Sequence, residues 1–172
     1  MRTATIHELK QELQSVSQAR LLELCLRLAR FKKENKELLT YLLLEAQDEE
    51  AYIAGVKALT DEGFSSLPQG AYLAKKTLRK VLRMVNKYIR YTGSRQVEAS
   101  LLTHYCQKLN ASGLDFSHSP VLANLYQQQF KKAEAAVQTL HEDLQYDFYR
   151  ELEPLRRKPA STGISGLFRK KK

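Results

Sequence analysis

Between Leu73 and Tyr91 the chain reads LAKKTLRKVLRMVNKYIRY, and its apolar and basic residues separate cleanly when wound at about 100° per residue. Leu78, Val81, Leu82, Val85 and Ile89 fall on one side. Lys75, Lys76, Arg79, Lys80, Arg83, Lys87 and Arg90 fall opposite, within an arc of roughly 140°. No acidic residue lies between Glu62 and Glu98. A period of two would mix these sets on both faces of a strand, so the stretch specifies a helix with an apolar face to bury and a purely basic face. Such a helix folds only against another layer.

The same period runs through most of the chain. Thr5-Ile6-His7-Glu8 has the form of a capping box, opening a short helix with Ile6, Leu9, Leu13 and Val16 on one face. Ser15-x-x-Gln18 offers a second cap before the apolar segment ARLLELCLRLARF, and the polar run Lys32–Lys36 reads as a tight connection between helices. From Leu38 to Asp61 one stripe predicts a single long helix ending at Gly63, although the acids Glu45, Asp48, Glu49 and Glu50 would also suit a break near Gln47. Residues 64–70 and 110–119 carry the turn residues of loops, and Gly93 with Ser94 ends one helix and caps the next. Ser119-Pro120 starts a last helix whose stripe, from Leu122 to Leu152, implies a length of about 50 Å.

These readings predict an all-α fold of five or six helices, arranged as antiparallel hairpins in a bundle or short superhelical stack, as one domain over residues 1–155. A faint repeat supports hairpins: RFKKENKELLTYLL from Arg30 resembles RYTGSRQVEASLL from Arg90, each joining two helices by a polar turn. Any two helical hairpins share this much, so the repeat is not a signature. Leu24, Leu28, Leu42, Val56, Leu78, Val85, Leu101, Tyr105, Phe130, Val137 and Leu144 are the expected core. Cys25 and Cys106, set in apolar patterns without metal-ligand spacing, read as reduced buried thiols. No apolar run approaches the ~20 residues of a membrane span, and the start has no secretory h-region, so the expected location is cytoplasmic.

The net charge of +9 is unevenly spread. Residues 156–172 contain seven Lys and Arg and no acid: Arg156, Arg157, Lys158, Arg169, Lys170, Lys171 and Lys172. With Pro, Ser, Thr and Gly between them, they predict a disordered basic tail. Its Ile164, Leu167 and Phe168 would give weak contact with an anionic membrane at most. Residues 1–155 hold 21 basic against 19 acidic residues, and only 13 against 19 once the cations from Lys75 to Arg95 are set aside. Positive charge in the body is therefore local to one helix.

No catalytic constellation is readable. The chain has no Gly-rich phosphate loop, His-Glu-x-x-His or Gly-x-Ser-x-Gly, and its four histidines lie in separate elements. The i,i+4 pairs Glu45/Glu49 and Asp143/Asp147 would share helix faces, yet a metal site in a bundle needs partners from facing helices. The expectation is a protein that is not an enzyme and carries no cofactor or metal. Three uses of the basic face remain: solvation or internal pairing with Glu45–Glu50 and Glu142–Glu153; nucleic-acid phosphates, with Tyr72, Tyr88 or Tyr91 stacking on bases; or an acidic protein partner. The expected function is a helical binding or scaffold protein that recognises an acidic protein partner, the alternative being RNA or DNA bound by the helix and the tail.

Overall fold

A computed structural model describes residues 2–68, 71–114, 116 and 119–156, with the side chains of residues 71 and 72 left aside. The described residues are helical and contain no strand, and none of their helices is long and apolar enough to cross a membrane. Among the described residues eight α-helices form, not the five or six expected, because two predicted long helices are broken. The chain divides into two compact units, residues 1–46 and 47–172.

In the first unit, α1 (Ile6–Ser15) starts on the expected box: Thr5 Oγ1 accepts from the Glu8 N–H at 3.2 Å, and the Glu8 carboxylate accepts from the Thr5 N–H at 2.7 Å. The next cap is Ser17, not Ser15. Ser17 Oγ accepts from the Arg20 N–H at 3.3 Å to open α2 (Gln18–Phe31), while Ser15 spends its hydroxyl on the Glu12 carbonyl inside α1. The connection read at residues 32–36 shrinks to one extended residue, Lys32, because α3 (Lys33–Thr40) begins immediately after it. Asn35 secures the corner by donating to the Leu28 carbonyl at 2.9 Å, filling one of the acceptors left open where α2 ends. A π-helical turn, Tyr41–Glu45, then widens the chain, with the Ala46 N–H reaching the Tyr41 carbonyl.

Leu28 and Leu42 were expected in the core but are 60% and 56% exposed. α1, α2 and α3 contain no buried residue at all, and Leu24 is only half-buried. Cys25 is likewise only partly covered, whereas Cys106 is fully buried; both thiols are free. The helical period correctly marks which side chains share a face. It carries no information on whether anything covers that face.

The second unit has a real interior. The single helix expected from Leu38 to Asp61 breaks near Gln47 because Asp48 turns its carboxylate back to accept from the Ala51 N–H at 2.9 Å, capping α4 (Glu49–Ser65). Glu49 and Glu50 then lie in the first turn, where negative charge meets the positive helix end. α4 continues past Gly63, whose role is packing: a Cβ there would stand 2.5 Å from Val81 Cγ2 of α5 (Ala71–Thr92). α5 ends as expected at Gly93, which adopts φ 64°, and Ser94 caps α6 (Arg95–Ala111) by accepting from the Val97 N–H.

α6 is the central helix, packed by α4, α5, α7 (Pro120–Val137) and α8 (Glu142–Leu152). Its buried positions run all round it, from Val97, Leu101 and Leu102 to Ala99, Ser100 and Thr103, whose small side chains let neighbouring helices approach. The repeat segments therefore differ in use, since Leu101 and Leu102 are core while Leu42 and Leu43 are exposed. Val56, Leu78, Val85, Tyr105, Phe130 and Val137 are buried as expected, and Leu144 only half-buried. The expected last helix stops at Val137. The Thr139 and Leu140 N–H groups tighten onto carbonyls three residues back, His141 turns extended, and Gln145 Nε2 donates to the Leu140 carbonyl at 2.8 Å. A short 3-10 turn, Glu153–Leu155, follows α8.

Candidate functional site

The basic helix is held from its inner side by tyrosines. Tyr105 of α6 donates its hydroxyl to the Leu78 carbonyl at 3.1 Å, and Tyr52 of α4 donates to the Tyr88 carbonyl at 3.1 Å. Burial of the Tyr105 phenol pushes its pKa well above the ordinary value, so it stays a donor. Ala74, Leu78, Val81, Leu82 and Val85 are buried beneath the helix, with Ile89 half-covered. Two hydroxyl anchors ten residues apart and a continuous apolar seam fix the rotation of α5 about its axis, and hence where its cations point.

Those cations point outward. Lys76, Arg79, Lys80, Arg83 and Arg90 are exposed, and Lys75 is half-buried. Among the described residues no carboxylate lies within 4.0 Å of any of these six. From Lys76 to Arg90 the row spans about 21 Å of helix. The remaining member, Lys87, turns toward aromatics, its Nζ 4.9 Å from the centre of the Tyr88 ring and 6.0 Å from that of Tyr91.

Among the described residues the acids at 48–50 and 142–153 make no ion pair with these six cations. Asp48 is a cap, Glu49 and Glu50 sit in the first turn of α4, and Glu142 and Asp143 in the first turn of α8. Glu45 and Glu49 do not share a helix face, because the break at residues 46–48 separates them. Glu151 accepts from Gln107 Nε2 at 3.1 Å. Among the described residues no three of His, Cys, Asp and Glu converge as metal ligands would.

One polar cluster escaped the sequence reading. Asp61 of α4 bridges to α6, its Oδ1 2.6 Å from His104 Nε2 and its Oδ2 2.9 Å from Lys108 Nζ. Burial alone would raise the Asp61 pKa; hydrogen bonds and positive charge from Lys108 and His104 together outweigh it and hold the carboxyl below its usual value. His104 and Lys108 are spaced i,i+4 on one helix face, which was legible; their partner on another helix was not.

Of the tail residues, Arg156 belongs to the folded part, pairing with Glu134 at 3.1 Å and Glu153 at 3.6 Å. Arg157, Lys158, Arg169, Lys170, Lys171 and Lys172 lie outside the described residues, as do the proposed membrane-contact side chains Ile164, Leu167 and Phe168, and His118. Tyr72 lacks a described side chain. Tyr88 and Tyr91 are half-buried and edge-packed, Tyr88 against both Tyr52 and Tyr91, with ring centres 6.2 and 5.9 Å apart. Comparison of the chain with protein-family models, with curated proteins and with solved structures found no match.

Proposed function

We propose that this protein is a non-enzymatic helical scaffold that recognises an acidic protein partner through the exposed face of α5. The observation that carries this reading is that Lys75, Lys76, Arg79, Lys80, Arg83 and Arg90 have no carboxylate within 4.0 Å among the described residues. Lys75 and Arg79, Lys76 and Lys80, and Arg79 and Arg83 are like charges at i,i+4, with further pairs at i,i+3. Each costs the isolated helix about 0.2–0.5 kcal/mol at low salt. Among the described residues the fold bears this cost with no carboxylate beside these six cations, which suits a surface whose counter-charge arrives with a ligand.

An acidic helix repeats its carboxylates at the same i,i+3/i,i+4 spacing and so matches the row along its length. Stacking of nucleic-acid bases is less well served, because the rings of Tyr88 and Tyr91 are already packed edge-on. The two free thiols suit a reducing compartment such as the cytoplasm.

The test is fluorescence anisotropy of the full chain with two probes, a helical peptide carrying Glu at i,i+3/i,i+4 and a single-stranded RNA, at low and physiological salt. The expected result is tighter binding of the peptide, weakened by salt and reduced about tenfold or more in Arg79→Glu with Arg83→Glu. Tighter, mutation-sensitive binding of RNA would replace this reading with nucleic-acid recognition. Insensitivity of both probes to the substitutions would reduce the row to ordinary surface.

A further inference from the structure

In the first unit, the hairpin of α2 and α3 and the π turn that follows enclose an open groove of about 630 Å³. That volume falls in the range of small-molecule clefts, ~300–1,000 Å³. Leu26, Ala29, Leu39, Leu43 and Leu44 form its floor, and Leu26, Leu43 and Leu44 are exposed. Arg30, Lys32, Lys33 and Lys36 line it as well. Those four are half of the 8 basic residues within residues 1–46, while none of the 6 acids there lines the groove. Among the described residues no carboxylate lies within 4.0 Å of Arg30, Lys32 or Lys36. Lys33 approaches Glu37 at 3.7 Å from an 86% exposed side chain, a pairing too solvated to hold it.

Charge and apolar surface occupy different ends of this groove. Arg30 lies in the last turn of α2, Lys32 is the corner, and Lys33 and Lys36 lie in the first turn of α3, so the four cations gather where the hairpin closes. Leu26 sits a turn further back on α2, and Leu39, Leu43 and Leu44 continue along α3 and the π turn with no charged residue lining that end. From Lys33 to Leu44 the floor runs roughly 15 Å at helical rise. One leaflet of a ~30 Å hydrocarbon core has about the same depth, which is the reach of a single acyl chain. An acidic amphipathic helix repeats its carboxylates along its whole length and would call for cations along the whole groove. A cationic end leading into an apolar trough instead complements a molecule with one anionic head and one apolar chain. The opposite side of the hairpin has a hollow of about 270 Å³ lined by Cys25, Leu28, Asn35, Leu38 and Leu42, with no charged residue to meet a head group.

We propose that this groove is a binding site for a single-chain anionic amphiphile of the fatty-acid class. Its carboxylate sits among Arg30, Lys32, Lys33 and Lys36, and its acyl chain lies along Leu26, Leu39, Leu43 and Leu44. The site is separate from the α5 row and stands whether or not that row binds an acidic partner.

Calorimetric titration of the full chain with laurate, kept below its aggregation concentration, tests this. The expected result is saturable binding about tenfold or more tighter than that of octanoate, because each methylene buried adds affinity. Laurate should also bind about tenfold or more tighter than its uncharged methyl ester, which lacks the carboxylate the cations meet. Arg30→Glu with Lys36→Glu should weaken laurate about tenfold or more, and Leu43→Gln should weaken it as well. Leu28→Gln, exposed but outside the groove, should leave it unchanged. All four positions are exposed, so folding is spared, and unchanged circular dichroism confirms it. Absence of saturable laurate binding, affinity indifferent to chain length or to head-group charge, or a loss in Leu28→Gln as large as in Leu43→Gln would each overturn the site. Attachment to phosphatidylserine vesicles without binding of monomeric laurate would overturn it in favour of a membrane surface. The comparison of laurate, octanoate and ester uses the parent chain and decides the matter even where a variant misfolds.

Discussion

Gly63 offers a quantitative test of how α4 and α5 meet. A Cβ at this position would lie 2.5 Å from Val81 Cγ2 but 3.6 Å from Val81 Cβ and Cγ1, so the conflict is with one methyl group. Val81 is 5% exposed and, being β-branched on a helix, has one strongly preferred rotamer, so it cannot simply turn away. Gly63→Ala should therefore incur about 1–3 kcal/mol of overpacking, offset by about 1 kcal/mol of helix propensity. The net expectation is a loss of about 1 kcal/mol. Val81→Ala alone removes buried methyls and should cost about 2 kcal/mol. In the double variant the clash is gone while the propensity gain remains, so it should be more stable than Val81→Ala, with a favourable coupling of at least about 1 kcal/mol. Urea denaturation followed by circular dichroism measures the cycle. Additive effects within about 0.5 kcal/mol, or a Gly63→Ala variant more stable than the parent, would refute the close approach of the two helices.

Three further outcomes follow from the same structure. The Asp61 carboxyl is held below its usual pKa, so the bridge from α4 to His104 and Lys108 contributes stability above the ordinary carboxylate value near ~3.9 and loses it as pH falls through the lower folded value; acid titration of stability should fall more steeply in this window for the parent than for Asp61→Asn. Tyr126→Phe removes the hydroxyl that donates to the Leu155 carbonyl at 2.7 Å, an acceptor at the end of the final turn, and should lower the urea-derived stability by about 1–2 kcal/mol. A thiol reagent should label one cysteine per native chain and two after denaturation: Cys25 is partly exposed, while Cys106 is fully buried and burial pushes its thiol up to about 12.

The features legible in the sequence are those decided within a few residues or along one helix. Thr5 with Glu8, Gly93 with Ser94, and the two-sided character of α5 all appear as read, since a cap or a face is a local property. The break after Val137 was hidden because the apolar stripe resumes in register at Leu144 and Leu152, and the hydrogen bonds of Gln145 that end one helix leave no mark on periodicity. Gly63 looks like a stop signal and is instead a contact point, a distinction made only by Val81 on the next helix. The exposure of Leu28 and Leu42 has the same origin: a pattern states what must be covered, and the covering element lies beyond it. For α5 the sequence showed the charges and their arc. It could not show that no described carboxylate comes within 4.0 Å of Lys75, Lys76, Arg79, Lys80, Arg83 or Arg90.

Whether Arg79 and its exposed neighbours on α5 serve a partner or the fold is decided by the stability of Arg79→Glu at low salt. Lys75, Lys76 and Arg83 surround position 79 at i±3 and i±4, so a carboxylate there turns repulsions into attractions worth about 0.2–0.5 kcal/mol each. The expected result is a protein about 1 kcal/mol more stable than the parent by urea denaturation, the gain fading as salt is raised. A loss of 1 kcal/mol or more would contradict it, because the guanidinium would then have been paired within the fold.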